Sequence, residues 1–533
     1  MASRTRMTTS RTTFTTAFAH VGLLLFALFS FVGAYTLADS YIDRLPDHRG
    51  FHLVAVDNEV TSPPEMRPER VLLVVVDGLR QDSARTMRST RRLQELGQCR
   101  PTHTGPLTIS RPVYTVISTG LEQDRTGSRN NDDTSPVAAQ SIWEVAHAAG
   151  FVVSAASNLR WWEELFPGAF DSYRFDLDET QNFFTLDERS ELYLLHPVRV
   201  DTAGHSFGAE SPEYQAAVET VDAELEALMN VLDFERDLLI VTADHGHSGA
   251  GGHGGPADEI ATVLTCFAGL GIQRRANGEG TDSRVIAPTI SVVLGLPCPK
   301  HMRAGDATLD QIWTIVDSER LGATYVRERK ENIEQFRRAN AQAAGALLGT
   351  DSGGWSQVYA HRTRRHQWSW MVAAIVLVGL LLMLSRLRKQ TLSRGVATVL
   401  WVALSVASAC LVYTWLRGSF DFTSINKRQE FLNASLGASL GAFAVMNIGH
   451  AVIFRNLRRL LLDNATQLLV LVVVSVAHPL IYGFTLGFPL PGRIAIFLPF
   501  ILGALVISSS IAVATLTPIV LLRTLRASHS EAT

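Results

Sequence analysis

The sequence predicts an α/β/α ectodomain with a mainly parallel sheet, joined to a transmembrane helical domain. Three observations lead there. Short β-branched apolar runs alternate with helical spacings between residues 71 and 294, the pattern of strand–helix units that build parallel sheets. Apolar stretches of membrane-spanning length flank that region, at 17–38 and again after 367. Finally, the segment 242–255, TADHGHSGAGGHGG, follows the apolar run 238–241. Asp244 and His245 therefore fall at the carboxyl end of a strand, where open α/β sheets form their ligand crevice.

A chain of 533 residues exceeds one average domain. Its net charge of −3, with mixed signs, gives no basis for nucleic-acid binding. The four cysteines, Cys99, Cys266, Cys298 and Cys410, show no Cys-x-x-Cys spacing. Neither a cysteine-built metal site nor a disulfide framework is implied. A single bridge among the first three stays open.

In chain order, residues 1–16 carry Arg4, Arg6 and Arg11 and no acid, which places the N-terminus in the cytoplasm. Residues 17–38 are read as a retained anchor. The apolar run is longer than a signal peptide's core, and no small-x-small cleavage site follows it. Residues 39–312 then form the extracytoplasmic catalytic domain. Within it, 71–76 (VLLVVV), 151–155 and 192–200 read as strands, and 83–96, 141–149, 212–232 and 286–294 as helices. Residues 313–367 read as a helical linker. Five further spans are expected within 368–522, at about 368–385, 395–416, 431–454, 466–488 and 494–522. Arginine-rich loops around Arg388, Arg458 and Arg523 mark the cytoplasmic side. Six spans in the cell membrane result, with both termini inside and a cytoplasmic tail at 523–533.

Asp77 closes the first strand in VVVDGLR; taken alone, an Asp-Gly there is an ordinary turn. Asp201 and His205, in VDTAGH, follow another expected strand and stand four residues apart, a spacing that lets both face one side of a loop or of a first helical turn. Asp244, His245 and His253 complete the pattern. Glycines between His247 and His253 let the backbone fold back on itself. Three carboxylates and three imidazoles along one sheet edge suffice for two divalent metal ions, zinc above all. His247 is read as supporting those ligands or facing solvent.

The motifs VVVDGLR, LTISRPVYTVISTG, VDTAGHSFG and TADHG-x6-HGG, in this order, resemble the alkaline phosphatase superfamily. Within it the chain is most similar to the GPI ethanolamine phosphate transferase branch, related to the type I phosphodiesterases. The resemblance implies one zinc held by Asp201, His205 and His253. It implies a second held by Asp77, Asp244, His245 and the nucleophile. It places that nucleophile ten residues before Gly120, at Ser110, with Thr108 as the alternative. A hydroxyl at a helix N-terminus would have backbone N–H groups at hand for phosphoryl oxygens. A sulfatase is disfavoured, because Tyr114 stands where the sulfatase pattern needs Arg. Arg80 and Arg111 are candidate phosphate contacts.

The expected activity is metal-dependent transfer of a phosphoethanolamine-like group, as in GPI-anchor biosynthesis. The group would pass from a phospholipid donor to a membrane-linked glycan or glycolipid by way of Ser110. The alternatives are an extracytoplasmic phosphodiesterase or phosphatase, and a lipid-handling or transport protein whose ectodomain is a receptor.

Overall fold

Strand β1 (Arg70–Val75) divides its side chains between two cores. Val71, Leu73 and Val75 enter one, while Leu72 and Val74 enter the other together with Val76. A strand that is apolar on both faces of the pleat is stable only when both are covered. Helices therefore pack on each side. Burying one such side chain contributes about 1.5–3 kcal/mol.

The structure is a computed structural model. It describes residues 20–33, 392–417, 428–454, 456–482 and 493–530. It also describes 55–348, save for 57, 59, 61, 129–130, 132–133, 176–183, 185, 187–188, 276–277 and 303–305. The chain divides into two units, one of Leu45–His361 with Asp421–Asn426, the other of Met1–Arg44, Arg362–Phe420 and Lys427–Thr533.

The first unit holds an eight-stranded sheet. After β1 its strands are β2 (Gly97–His103), β3 (Val153–Ser157), β4 (Ser172–Arg174), β5 (Leu192–His196), β6 (Asp237–Thr242), β7 (Thr262–Gly269) and β8 (Thr281–Asp282). Their order across the sheet is β4-β3-β5-β1-β6-β7-β2-β8. β1 lies parallel to both neighbours, with Val71 opposite Leu192 on β5 and Leu238 on β6. β7 runs antiparallel to β6 and β2, so the sheet is mixed. The α/β expectation with a mainly parallel sheet is met. The apolar-run reading passed over β2, because GQCRPTH carries no apolar run.

The helices that shape the site are α1 (Ser110–Thr119), α2 (Ile142–Ala148), α3 (Arg199–Phe207), α4 (Pro212–Val231) and α5 (Ile286–Leu294). Each has a local cause. Ser141 and Glu144 close a capping box on α2. α4 starts with Pro212 in its first turn and the Ser211 side chain accepting from Tyr214 N. α1 ends on Gly120, whose φ of 68° is the left-handed conformation that stops a helix. α1 and α5 are buried throughout.

Several boundaries differ from the sequence reading, among them the strand expected at 151–155, which lies at Val153–Ser157. The helix expected at 83–96 is two helices, Gln81–Thr86 and Arg88–Leu96, separated by an extended Met87. The strand expected at 192–200 stops at His196, because Pro197 offers no N–H to continue the ladder. Asp201 therefore lies in the first turn of α3 and does not close a strand. The helix Ala323–Leu348, expected within a linker, buries Ile333 and Phe336 in the same core as Val71 and Trp143.

Cys99 and Cys266 form a disulfide. They lie directly opposite each other on β2 and β7, although 167 residues separate them in the chain.

In the second unit, helices occupy Leu392–Arg417, Arg428–Phe454, Leu457–Tyr482 and Arg493–Ser530. Leu502–Thr524, in the last of these, is long and apolar enough to cross a membrane by length and composition. Among the described residues it is the one such segment; His20–Gly33 and Ala403–Leu416 are apolar but shorter. The span expected at 368–385 lies outside the described residues.

Replacing Cys99 with Ser should lower the stability of the sheet-bearing unit by about 2–4 kcal/mol. Thermal denaturation of purified protein reads this as a lower midpoint. Reductant should lower the wild-type midpoint similarly and leave the variant's unchanged. Coincident midpoints for oxidised wild type and variant would contradict it.

Candidate metal centre and nucleophile

β1 and β6 are adjacent and parallel, with Val75 opposite Thr242. Asp77 and Asp244 each follow two residues later, so the register brings the two carboxyls together. Between them the chain turns at Gly78, with φ +73°. A Cβ there would lie 2.7 Å from Asp201 Cα, so only glycine lets α3 approach. Gly78 N–H donates to Asp244 Oδ1 at 3.2 Å, and its carbonyl accepts from Tyr214 O–H at 2.8 Å. α3 carries Asp201 and His205 one turn apart, with Asp201 Oδ1 3.4 Å from His205 Nε2. After β6 the glycine-rich loop returns His253, whose Nε2 lies 3.0 Å from His205 Nε2 and 3.7 Å from Asp201 Oδ1.

Two groups of suitable ligands result. Asp77, Asp244 and His245 form one, and Asp201, His245, His247 and His253 the other; within each, one ligand atom per residue lies within 4.8 Å of the others. His205 adjoins the second group through its contacts with Asp201 and His253. The donor chemistry suits a divalent cation. Asp77 Oδ1 and Asp244 Oδ2 are buried with no hydrogen-bond partner, a costly arrangement unless something positive meets them. His245 Nδ1 lies 3.1 Å from the Gly246 carbonyl and His253 Nδ1 2.7 Å from that of Thr108. Each Nδ1–H therefore donates, leaving the Nε2 lone pair for a metal.

Ser110 is the first residue of α1, with Oγ 3.3 Å from His245 Nε2. The Thr108 hydroxyl is committed elsewhere: it donates to Gly255 O and accepts from Gly254 N, both at 2.8 Å. The first turn of α1 has little to offer an anion. Arg111 N–H donates to Asn131 Oδ1, Val113 N–H bonds Ile109 O, and Pro112 has no N–H. The helix N-terminus is thus largely spent on protein partners. Arg111 is buried, ion-paired with Glu164 and stacked over Trp161. Arg80 pairs with Asp82, with Glu259 at 3.9 Å.

Sequence reasoning missed a network behind Asp77. Tyr114 O–H donates to Asp77 Oδ2 at 2.6 Å, and His196 Nε2 lies 3.2 Å from the same oxygen. Ser157 Oγ is 2.8 Å from His196 Nδ1. Tyr114 stands four residues after Ser110, a helical spacing that could have flagged it. His196, alone in an apolar strand, carried no signal. His247 is not solvent-facing: it is buried, with Nε2 2.8 Å from Asp201 Oδ1.

The electrostatics follow from crowding. Burial opposes ionisation of Asp77, yet the His196 hydrogen bond and the attraction of His245 hold its carboxyl below the usual range. Burial, then repulsion from Asp77, pushes Asp201 up to about 6. Burial and the charges of Asp77 and Asp201 raise Asp244 well above the ordinary carboxylate value. Burial also lowers His245 to about 3 and holds His253 well below its usual value. Burial thus favours the neutral form of His245 and His253, the form that metal binding requires.

A profile of the family described as type I phosphodiesterase / nucleotide pyrophosphatase matches residues 71–364. Among curated proteins, GPI ethanolamine phosphate transferase 3, catalytic subunit, of Mus musculus is 26% identical over 273 residues, covering 44% of this chain and 25% of that protein. GPI ethanolamine phosphate transferase 2 of Yarrowia lipolytica is 26% identical over 277 residues, covering 44% and 32%. The chain thus spans a quarter to a third of the length of these relatives. Among solved structures, murine ectonucleotide pyrophosphatase / phosphodiesterase 5 aligns with a TM-score of 0.40 at 16% identity, covering 46% of this chain and all of that one. The resemblance read from the motifs is borne out at the level of the family.

Metal binding should depend on pH through Asp201. Its folded pKa is raised to about 6. In metal-free protein its contribution to stability is full below the unfolded value and lost as pH rises through the folded one. A cation relieves that loss once the carboxyl ionises. Added zinc should therefore raise the thermal midpoint more at about pH 7.5 than at about pH 5. At a hundredfold excess over Kd the gain is about 2.7 kcal/mol. Equal shifts at both pH values in differential scanning calorimetry would speak against it.

Proposed function

Because the chain belongs to the type I phosphodiesterase / nucleotide pyrophosphatase family, we propose that it is a membrane-bound, metal-dependent phosphoethanolamine transferase. The donor is a phospholipid and the acceptor a membrane-linked glycan or glycolipid. The observation that carries this reading is a hydroxyl, Ser110 Oγ, beside His245, the imidazole shared by two carboxylate–imidazole groups, with Asp77 Oδ1 and Asp244 Oδ2 buried and lacking hydrogen-bond partners. The names of the curated relatives favour ethanolamine phosphate as the group moved.

Asp77, Asp244, His245 and Ser110 would hold one divalent ion, and Asp201, His205 and His253 another, zinc by their oxygen and nitrogen donors. When bound, the two ions supply positive charge that favours the ionised Ser110 hydroxyl and offsets the charge on the phosphoryl oxygens. That charge is needed here, since the first turn of α1 has few free N–H groups. Ser110 Oγ attacks phosphorus in line, and the bond to the diacylglycerol oxygen breaks. The leaving oxygen takes up a proton, and phosphoethanolamine remains esterified to Ser110. The acceptor hydroxyl then attacks the same phosphorus, gives up its proton and releases Ser110. His205 and Asp201 are partly exposed, which supports an approach of this second hydroxyl from their side. Tyr114 and His196 hold Asp77 in place from behind.

If water took the acceptor's place, the same site would be a phosphodiesterase, a reading the family match favours. The disulfide between Cys99 and Cys266 supports an extracytoplasmic catalytic unit, since such bonds persist in oxidising compartments. Six membrane spans with both termini in the cytoplasm complete the proposed arrangement, with Leu502–Thr524 as its best-supported span.

Full-length protein incubated with head-group-labelled phosphatidylethanolamine and zinc should acquire covalent label, and Ser110→Ala should acquire none. Turnover in the variant should fall by about a thousandfold or more. Labelled phosphoethanolamine released with no labelled wild-type intermediate would instead indicate direct hydrolysis. No reaction in zinc-replete protein would point to a receptor.

A further inference from the structure

His247 is not among the ligands proposed for either ion, yet its ring is buried against Asp201. By distance alone it could join Asp201, His245 and His253 as a ligand. Its hydrogen bonds argue otherwise. Gly252 N–H donates to His247 Nδ1 at 3.1 Å. A backbone N–H can only donate, so Nδ1 must present a lone pair. A neutral imidazole has one N–H, which therefore sits on Nε2. Nε2–H then donates to Asp201 Oδ1 at 2.8 Å. This is the reverse of His245 and His253, whose Nδ1–H groups face carbonyls and leave Nε2 free.

The ring is also clamped. A Cβ on Gly204 would lie 2.5 Å from His247 Cδ2, and one on Gly78 would lie 3.0 Å from the same atom. Gly204 belongs to α3, one residue before His205. The loop that carries His247 closes on itself, with Ser248 N–H donating to Gly252 O at 2.9 Å. A Cβ on Gly251 would meet Gly204 O at 2.7 Å. Three glycines thus let the loop and helix approach closely enough for the His247–Asp201 bond. Turning the ring over would put a carbon where Nδ1 now accepts from Gly252 N–H, and another where Nε2 now meets Asp201.

We propose that His247 is a positioning residue: its Nε2–H fixes the Asp201 carboxylate in the orientation that serves the cation held with His205 and His253. This rests on the reading of those three residues as metal ligands. Carboxylates that bind metals are commonly oriented by such partners, and losing one typically weakens binding ten- to hundredfold.

The test uses full-length wild type, His247→Met and His247→Gln, stripped of metal and titrated with zinc against a chelator of known affinity. Zinc bound per chain is counted at saturation. Met removes the N–H at similar bulk; Gln keeps an N–H near the place of Nε2. Met should still take up two zinc ions, one of them about ten- to hundredfold more weakly, and Gln should recover most of that loss. Wild-type affinity in the Met variant would overturn the proposal. Loss of one zinc ion from both variants would also overturn it, making His247 a direct ligand. Equal weakening in both, with a lower melting point for the metal-free protein, would reduce His247 to packing and overturn it too. Wild-type protein that takes up no zinc would refute the metal-centre reading itself, which separates the two failures.

Discussion

The carboxyls of Asp77, Asp201 and Asp244 are crowded at one edge of the sheet, where little water reaches Asp77 and Asp244. Two unit charges 4 Å apart repel by on the order of 4 kcal/mol at an effective dielectric of 20. No arginine or lysine pairs with any of the three among the ion pairs of the described residues. The neighbours are imidazoles, and burial disfavours the charged form of His245 and His247. Repulsion of this kind is tolerated in a folded protein when a bound cation answers it, and much of the local architecture can be understood as holding the groups in place until one does.

That architecture works from the sheet outward. Parallel pairing of β1 with β6 sets Asp77 beside Asp244, because both follow equivalent positions in the ladder. β5, on the other side of β1, delivers the chain to α3 and so brings in Asp201 and His205. Gly78 and Gly204 occupy close approaches, where a side chain would collide with the α3 backbone at Asp201 and with the His247 imidazole respectively. Two hydrogen-bond systems then orient the carboxyls from behind. Tyr114 and His196 serve Asp77, and His247 serves Asp201.

The same packing narrows the chemistry. With the Thr108 hydroxyl bound to backbone on both sides, Ser110 is the hydroxyl left beside His245. With Arg111 engaged by Glu164 and Trp161, the strongest nearby positive charge is turned to structure. The two-metal transfer proposed above follows from this, since helix N–H groups and arginine offer a phosphoryl group little charge here.

The sequence alone determined the features that rest on short-range rules. The apolar run 71–76 made β1 a strand, and Asp-Gly ended it. Residues 238–241 placed Asp244 and His245 past another strand, and the four-residue spacing let Asp201 and His205 face one side together. The glycines after His247 let His253 return. Other features were decided only in three dimensions. Cys99 meets Cys266 because β2 and β7 pair in one particular register across 167 residues, and no local pattern encodes that register. Asp201 lies in a helix because Pro197 interrupts the ladder there, in a segment whose composition still reads as strand. Tyr114 and His247 matter through what stands opposite them, on β1 and α3. A proton's place on an imidazole depends on which backbone group faces each nitrogen, and that is settled by how the loop folds, not by the order of residues along it.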